Sequence, residues 1–272
     1  LEQPLQICLN HCKAVVAVIP GPIYLKQSHY NDDPLIQAAF PGTDRIEDLL
    51  DKADKTQPHT ELSGNNRVAL LTMTSREKIV FGRKQQGDMI IGDTAMRAIT
   101  FTDHNIVGLA TTLAESRKAL EKYCLEIIVE ATARELSEIR TKLVDLRQRK
   151  ERLQAMNKMF GEGKNVDMGC VFVPYDPGKQ EKREKIEQML EETESEIAAA
   201  SRKSATPNNW LTIVENILSR PEDILSIQPV SLRLNWSNVL TDDPAEKANT
   251  INFATFTLAE EIQREGVLIA YE

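Results

Sequence analysis

The spacing of apolar residues changes character along this chain. Up to about residue 101, and again from 230 to 271, apolar side chains fall in short runs or alternate with polar ones. Between these stretches they recur every three or four residues. From Leu136 the series runs Leu136, Ile139, Leu143, Leu146, Leu153 and Phe160, with Lys150 and Asn157 at the two seam positions left over. That is a heptad seam. There is no Pro between Pro58 and Pro174 and no Gly between Gly108 and Gly161, so nothing there breaks a helix. A second helix is predicted over about Lys179–Lys203, with Ile186, Met189, Leu190, Thr193, Ile197 and Ala200 on one stripe. Its other faces are charged, with Glu181 and Lys185 at helical pair spacing.

The two helices are of similar length, and roughly residues 161–178 join them. The pattern therefore predicts an antiparallel helical hairpin, with a dimeric coiled coil as its rival. The small residues Ala198–Ala200 and Thr193 make a poor seam for a parallel dimer, and Lys150 can reach out of a thin two-helix interface to water.

Before the arm, a short helix is predicted over Leu1–Lys13 and a buried strand over Ala14–Ile19, which ends at Pro20. A strand at Ile23–Leu25, a helical turn at Leu35–Phe40 and an amphipathic helix at Asp44–Lys55 follow. Four short strands are then expected, at Val68–Met73, Lys78–Phe81, Met89–Ile91 and Ala98–Phe101. After the arm come a helix at Asn208–Ser219 and strands at Val230–Trp236, Ile251–Leu258 and Val267–Tyr271. In the first of these, Val230, Leu232, Leu234 and Trp236 share a face. The expected fold is α+β: a mainly antiparallel sheet body interrupted by a long helical hairpin. Residues 1–105 and 206–272 make the body in one shared sheet or barrel-like core, with two small β domains as the alternative, and 106–205 make the arm.

Composition narrows the function classes. The chain has 272 residues, 41% hydrophobic and 27% charged, which suits a folded protein with a core. Its net charge of −8 lacks the overall footprint of a nucleic-acid binder. No run approaches the roughly 20 apolar residues of a membrane span, so no membrane partner is expected. Cys8 and Cys12 lie four apart, Cys124 falls on the first arm helix and Cys170 near the tip, without the paired CxxC spacing of a zinc site. Reduced thiols and the lack of a leader set a cytoplasmic expectation, although the chain opens on Leu1 and not Met. Asn235-Trp236-Ser237 is a formal glycosylation sequon.

Three clusters are candidate sites. Val171, Phe172, Val173 and Tyr175 form an apolar tip between the arm helices, either a partner-binding surface or a cap over the helix ends. Arg147, Arg149, Lys150 and Arg152 form a candidate basic patch, either for phosphates or for pairing with the glutamates of the second helix. His29, Asp32, Asp33 and His59, or His104 with Asp103, are the residues from which an acid–base or metal site would have to be built, but no ligand spacing supports one. Phe81–Asp88 has two glycines and basic residues but lacks the ending of a phosphate loop. No catalytic residue, metal or cofactor is assigned.

The reading that results is a scaffold or assembly protein that binds a protein partner, or itself, through a coiled-coil arm. Its rivals are a nucleic-acid-associated protein using the basic stripe, and an enzyme or ligand-sensing body that dimerises through the arm.

Overall fold

A computed structural model of the chain describes residues 1–26, 30–56, 66–86, 89–161, 177–204, 207–244, 246–259 and 262–272. The fold is α+β with a mainly antiparallel sheet. The described residues form two compact units: Glu2–Ile128 with Leu218–Glu272, and Val129–Ile217 with Leu1.

In the first unit, α1 (Glu2–Ala17) takes in Ala14–Ala17, most of the stretch Ala14–Ile19 expected as a strand. Cys8, Cys12 and Val16 are spaced by four and all are buried, with Val15 beside them, so the helical face simply continues. Burial of that face outweighs the strand preference of the β-branched residues. β1 (Ile23–Tyr24), α2 (Pro34–Ala39) and α3 (Asp44–Thr56) follow close to expectation. Asp33 caps α2, its carboxylate accepting from the N–H groups of Leu35 (2.8 Å) and Ile36 (3.3 Å).

The four short strands expected next are two long ones, β2 (Arg67–Gln86) and β3 (Met89–Ala110), paired as one antiparallel ribbon. Three register shifts interrupt the pairing, and at each β3 carries one residue more than β2. A positive φ sits at each place: Asp93 (53°), Asp103 (54°) and Gly108 (66°). These are β-bulges, which need a residue that tolerates left-handed backbone. The same residue types read as turn signals, which is why the sequence pattern divides the strands. Ile106, where the helical arm was expected to begin, is a β3 residue, and α4 (Leu113–Gly161) starts seven residues later.

Two more strands follow α6 (Pro207–Leu218) and β4 (Leu225–Leu234): β5 (Asn249–Leu258) and β6 (Ile262–Tyr271). Among the described residues the sheet order is β3-β2-β6-β5-β4, with β1 parallel to β6. Strands from both sides of the long helices thus share one sheet, through pairing of β2 with β6 from Arg67↔Tyr271 to Met73↔Glu265. The two outer strands are also tied together. The Ile99 N–H donates to the Asn238 carbonyl (2.9 Å), the Leu240 N–H donates to Arg97 (2.8 Å), and Leu240 bridges Leu234 of β4. Trp236, expected to face inward with Leu234, lies past the strand in this connecting turn and is 94% exposed.

One face of the sheet packs under α2 and α3. Leu71, Phe101, Phe253 and Ile269 lie there with Phe40 and Ile36, and the Phe101 and Phe253 rings meet edge to face at 5.9 Å. The opposite face meets α1 and the first turns of α4. Gly108 permits that approach. A Cβ there would lie 2.8 Å from Leu120 Cδ2, and the Ser116 hydroxyl donates to the Gly108 carbonyl (2.9 Å).

The second unit takes in most of α4, α5 (Pro177–Ser204) and nearly all of α6. On α4, Leu143, Leu146 and Leu153 are buried, and Leu136, Ile139, Lys150 and Asn157 are half-buried, a stripe at the three-and-four spacing of the sequence. On α5, Ile186 and Thr193 are buried and Leu190, Ile197 and Ala200 are half-buried, while Met189 faces solvent. Lys150 Nζ meets Glu194 Oε1 at 2.9 Å, an ion pair between the two helices.

Candidate functional site

The apolar residues Val171, Phe172, Val173 and Tyr175 lie outside the described residues, as do His29, His59 and Cys170. Of the basic patch, Arg147, Arg149 and Arg152 are exposed on α4, and Lys150 is half-buried in its pair with Glu194. The Glu181–Lys185 pair also forms, at 2.9 Å.

Of the described residues weighed for acid–base or metal chemistry, Asp33 and His104 have structural roles. Asp33 is the α2 cap. His104 stacks on Phe40 with ring centroids 4.5 Å apart. Burial lowers its pKa below the ordinary 6.5, against smaller opposing effects from an Ala39 backbone hydrogen bond and Asp103. Its Nε2 is buried without a hydrogen-bond partner, which suits a neutral ring. Phe81–Gln86 continues β2 rather than turning round a phosphate. In the sequon, Asn235 accepts from the N–H groups of Ser237 (2.9 Å) and Val239 (3.1 Å) and donates to Glu246 Oε1 (2.9 Å), so its amide holds the turn. Among the described residues, no three His, Cys, Asp or Glu side chains are placed to hold a metal ion.

Cys8, Cys12 and Cys124 are buried and free of disulfides. Burial pushes the Cys12 thiol up to about 12, with Cys8 and Cys124 near enough to add to the shift, and Cys124 up to about 11. These thiols stay protonated at neutral pH and are poor nucleophiles.

Two features that the linear pattern did not reveal stand out. The first is the outer part of the β2–β3 ribbon. Pairing of β2 with β6 ends at Met73, where the buried Glu265 carboxylate takes the Ser75 N–H (2.9 Å) and hydroxyl (2.7 Å) in place of a strand. β3 is last bridged on its far edge at Ala98. Past these points β2 and β3 pair only with each other among the described residues. The inward face of β2 (Ala69, Leu71, Met73) continues by alternation to Glu77, Ile79 and Phe81. Among the described residues no sheet layer covers it, and Ile79 and Phe81 are 70% and 73% exposed. Arg97 lies diagonally across from Glu77 and grips it through Nε (2.9 Å) and Nη2 (2.7 Å).

The second is a cavity of about 390 Å³ in the first unit. Leu70, Leu225, Phe256 and Leu258 of the sheet form its floor. Val16 and Ile19 close one side, and Leu120, Cys124 and Ile127 of α4 close the other. Thr72, Asn105, Val107, Tyr123, Ile262 and Arg264 complete the lining. Six separate chain segments meet there, from Val16 to Arg264, so no local motif could have announced it.

Comparisons with protein families, with curated proteins and with solved structures find nothing that matches this chain. Among the described residues, no helix is long and apolar enough to cross a membrane.

Proposed function

We propose that this chain is an assembly protein that associates with copies of itself through extended surfaces. The observation that carries this reading is the outer ribbon, whose core-facing alternation persists into solvent at Ile79 and Phe81. A two-stranded ribbon is marginal in water when alone, and its open edges are templates for a further strand. A second ribbon of the same kind would supply both a strand partner and an apolar cover. In this reading α4 and α5 form the helical hairpin. The Lys150–Glu194 pair and the matched buried stripes, Leu143, Leu146 and Leu153 with Ile186 and Thr193, support that arrangement.

Light scattering over a concentration series tests this. The expected result is reversible association above the monomer mass, lost when Ile79 and Phe81 are both changed to Ser and retained when Phe172 and Tyr175 are. The opposite pattern would move the contact to the tip. A chain that stays monomeric at the highest concentration reached would overturn self-assembly. Circular dichroism on each variant separates loss of contact from loss of fold.

A further inference from the structure

We propose that the 390 Å³ cavity is a binding site for a small anionic amphiphile, an acyl chain bearing a carboxylate whose head meets Arg264. The proposal is independent of the assembly reading. Its first support is size. Small-molecule pockets run from roughly 300 to 1,000 Å³, and this cavity falls at the lower end, in the range of a single small ligand. A methylene group occupies about the share of one liquid water, ~30 Å³, so the space suits a chain on the order of ten carbons.

The second support is the division of chemistry within the lining. The deep part is hydrocarbon: Val16, Ile19, Leu70, Leu120 and Leu225 are all buried there. Polar groups come from positions that reach solvent, Asn105 and Arg264. Arg264 is the one charged side chain among the described lining residues, and no described carboxylate forms an ion pair with it. In a chain of net charge −8, the Arg264 cation beside an apolar hollow favours a negative head over a positive one. The guanidinium suits a carboxylate, whose two oxygens match its fork. The Asn105 side chain adds a hydrogen-bond donor on the same lining.

The geometry also explains how the hollow forms. Arg264 pairs in register with Phe256, and Ile262 with Leu258, so the strand ends alternate charged and apolar side chains toward this face. The Gly108 bulge draws α4 in at Leu120. Farther along α4, Tyr123 and Ile127 stand over the same sheet face with the hollow between.

Calorimetric titration of the full chain with decanoate and, separately, with uncharged decanol tests the proposal. The expected result is one site for decanoate and weaker binding of decanol. Arg264→Gln should weaken decanoate by about fivefold, the upper end for an ion pair open to water, and leave decanol unchanged. Val107→Phe, which fills the hollow from β3, should weaken both ligands by roughly tenfold or more. If that variant fails to fold, Ile127→Trp fills the same space from the helix. No decanoate binding to the unaltered chain overturns the proposal. So does an affinity that survives filling, which would put the ligand elsewhere. Equal losses for both ligands in Arg264→Gln would overturn the role of the guanidinium. Because Ile79 and Phe81 are untouched, a failure here leaves the light-scattering result standing.

Discussion

The two units store their stability in different ways. In the sheet unit, apolar side chains are buried on both faces of one sheet, and the deepest of them, Leu25, Met73, Leu268 and Ile269, are shut off from water. In the helical unit, Leu143, Leu146, Leu153 and Ile186 are the buried apolar side chains among the described residues, and each keeps 5–8% of its surface exposed. A sheet packed on two sides surrounds its side chains in three dimensions. A helix seam surrounds them along one line, and the rest of each helix must be held by propensity and paired charges. The first unit therefore has a definite interior able to hold a cavity. The second has surface to offer and little else.

Truncating the two interiors should break this comparison most sharply. Phe253→Ala removes a ring packed against Phe101 and should cost about 3–5 kcal/mol. Leu146→Ala on the helical seam should cost about 2 kcal/mol, the bottom of the range for such changes, because neighbouring side chains and water can close over the gap. Hydrogen exchange read separately on β5 and on α4 gives the local opening energy of each unit. Equal losses would show that the seam is packed as closely as the sheet.

The same contrast governs what the amino-acid pattern revealed. The helical seam was legible from the period of Leu136 to Leu153, because a helix face depends on neighbours three and four residues away. Val230–Leu234 was legible for a similar reason, as alternation, whereas Leu225–Pro229 at the start of β4 and Ile262–Gly266 at the start of β6 were not. β3 was not, because Asp93, Asp103 and Gly108 are bulges inside a strand and turns elsewhere. Nor was the hydrogen-bonded pairing of Met73 with Glu265, nearly two hundred residues apart, which decides where the ribbon leaves the sheet. Val15 and Val16 misled because a β-branched pair reads as strand until the Cys8–Cys12–Val16 spacing is given more weight. The cavity depends on six segments meeting, and its polar members carry no local signature.

Acid should distinguish the sheet unit by a smaller margin. His104 is held neutral by burial, so its folded pKa lies below the ordinary 6.5. Between those two values the unfolded chain binds the extra proton and the folded one does not. Stability contributed by the neutral ring is complete above about 6.5 and falls as pH drops through that value toward the folded pKa. Urea denaturation at pH 7.5 and pH 5.5 should show this loss, with His104→Phe keeping the stack on Phe40 and flattening the difference. An equally steep fall in the variant would assign the acid sensitivity to other groups.

The smallest effect is expected at the ion pair between α4 and α5. Lys150 and Glu194 are 35% and 50% exposed, so water screens their attraction and both side chains give up freedom to meet. Lys150→Met keeps most of the stem in the seam and removes the charge, and should change stability by about 0.5 kcal/mol or less. The sign is informative. Methionine occupies a position that the heptad pattern marks as apolar, so a slight gain in α4 protection means that hydrocarbon burial outweighs the lost pair. A loss well above 1 kcal/mol would instead make Lys150 and Glu194 the register lock of the two helices. The helical unit would then be specified by charge where the sheet unit is specified by packing.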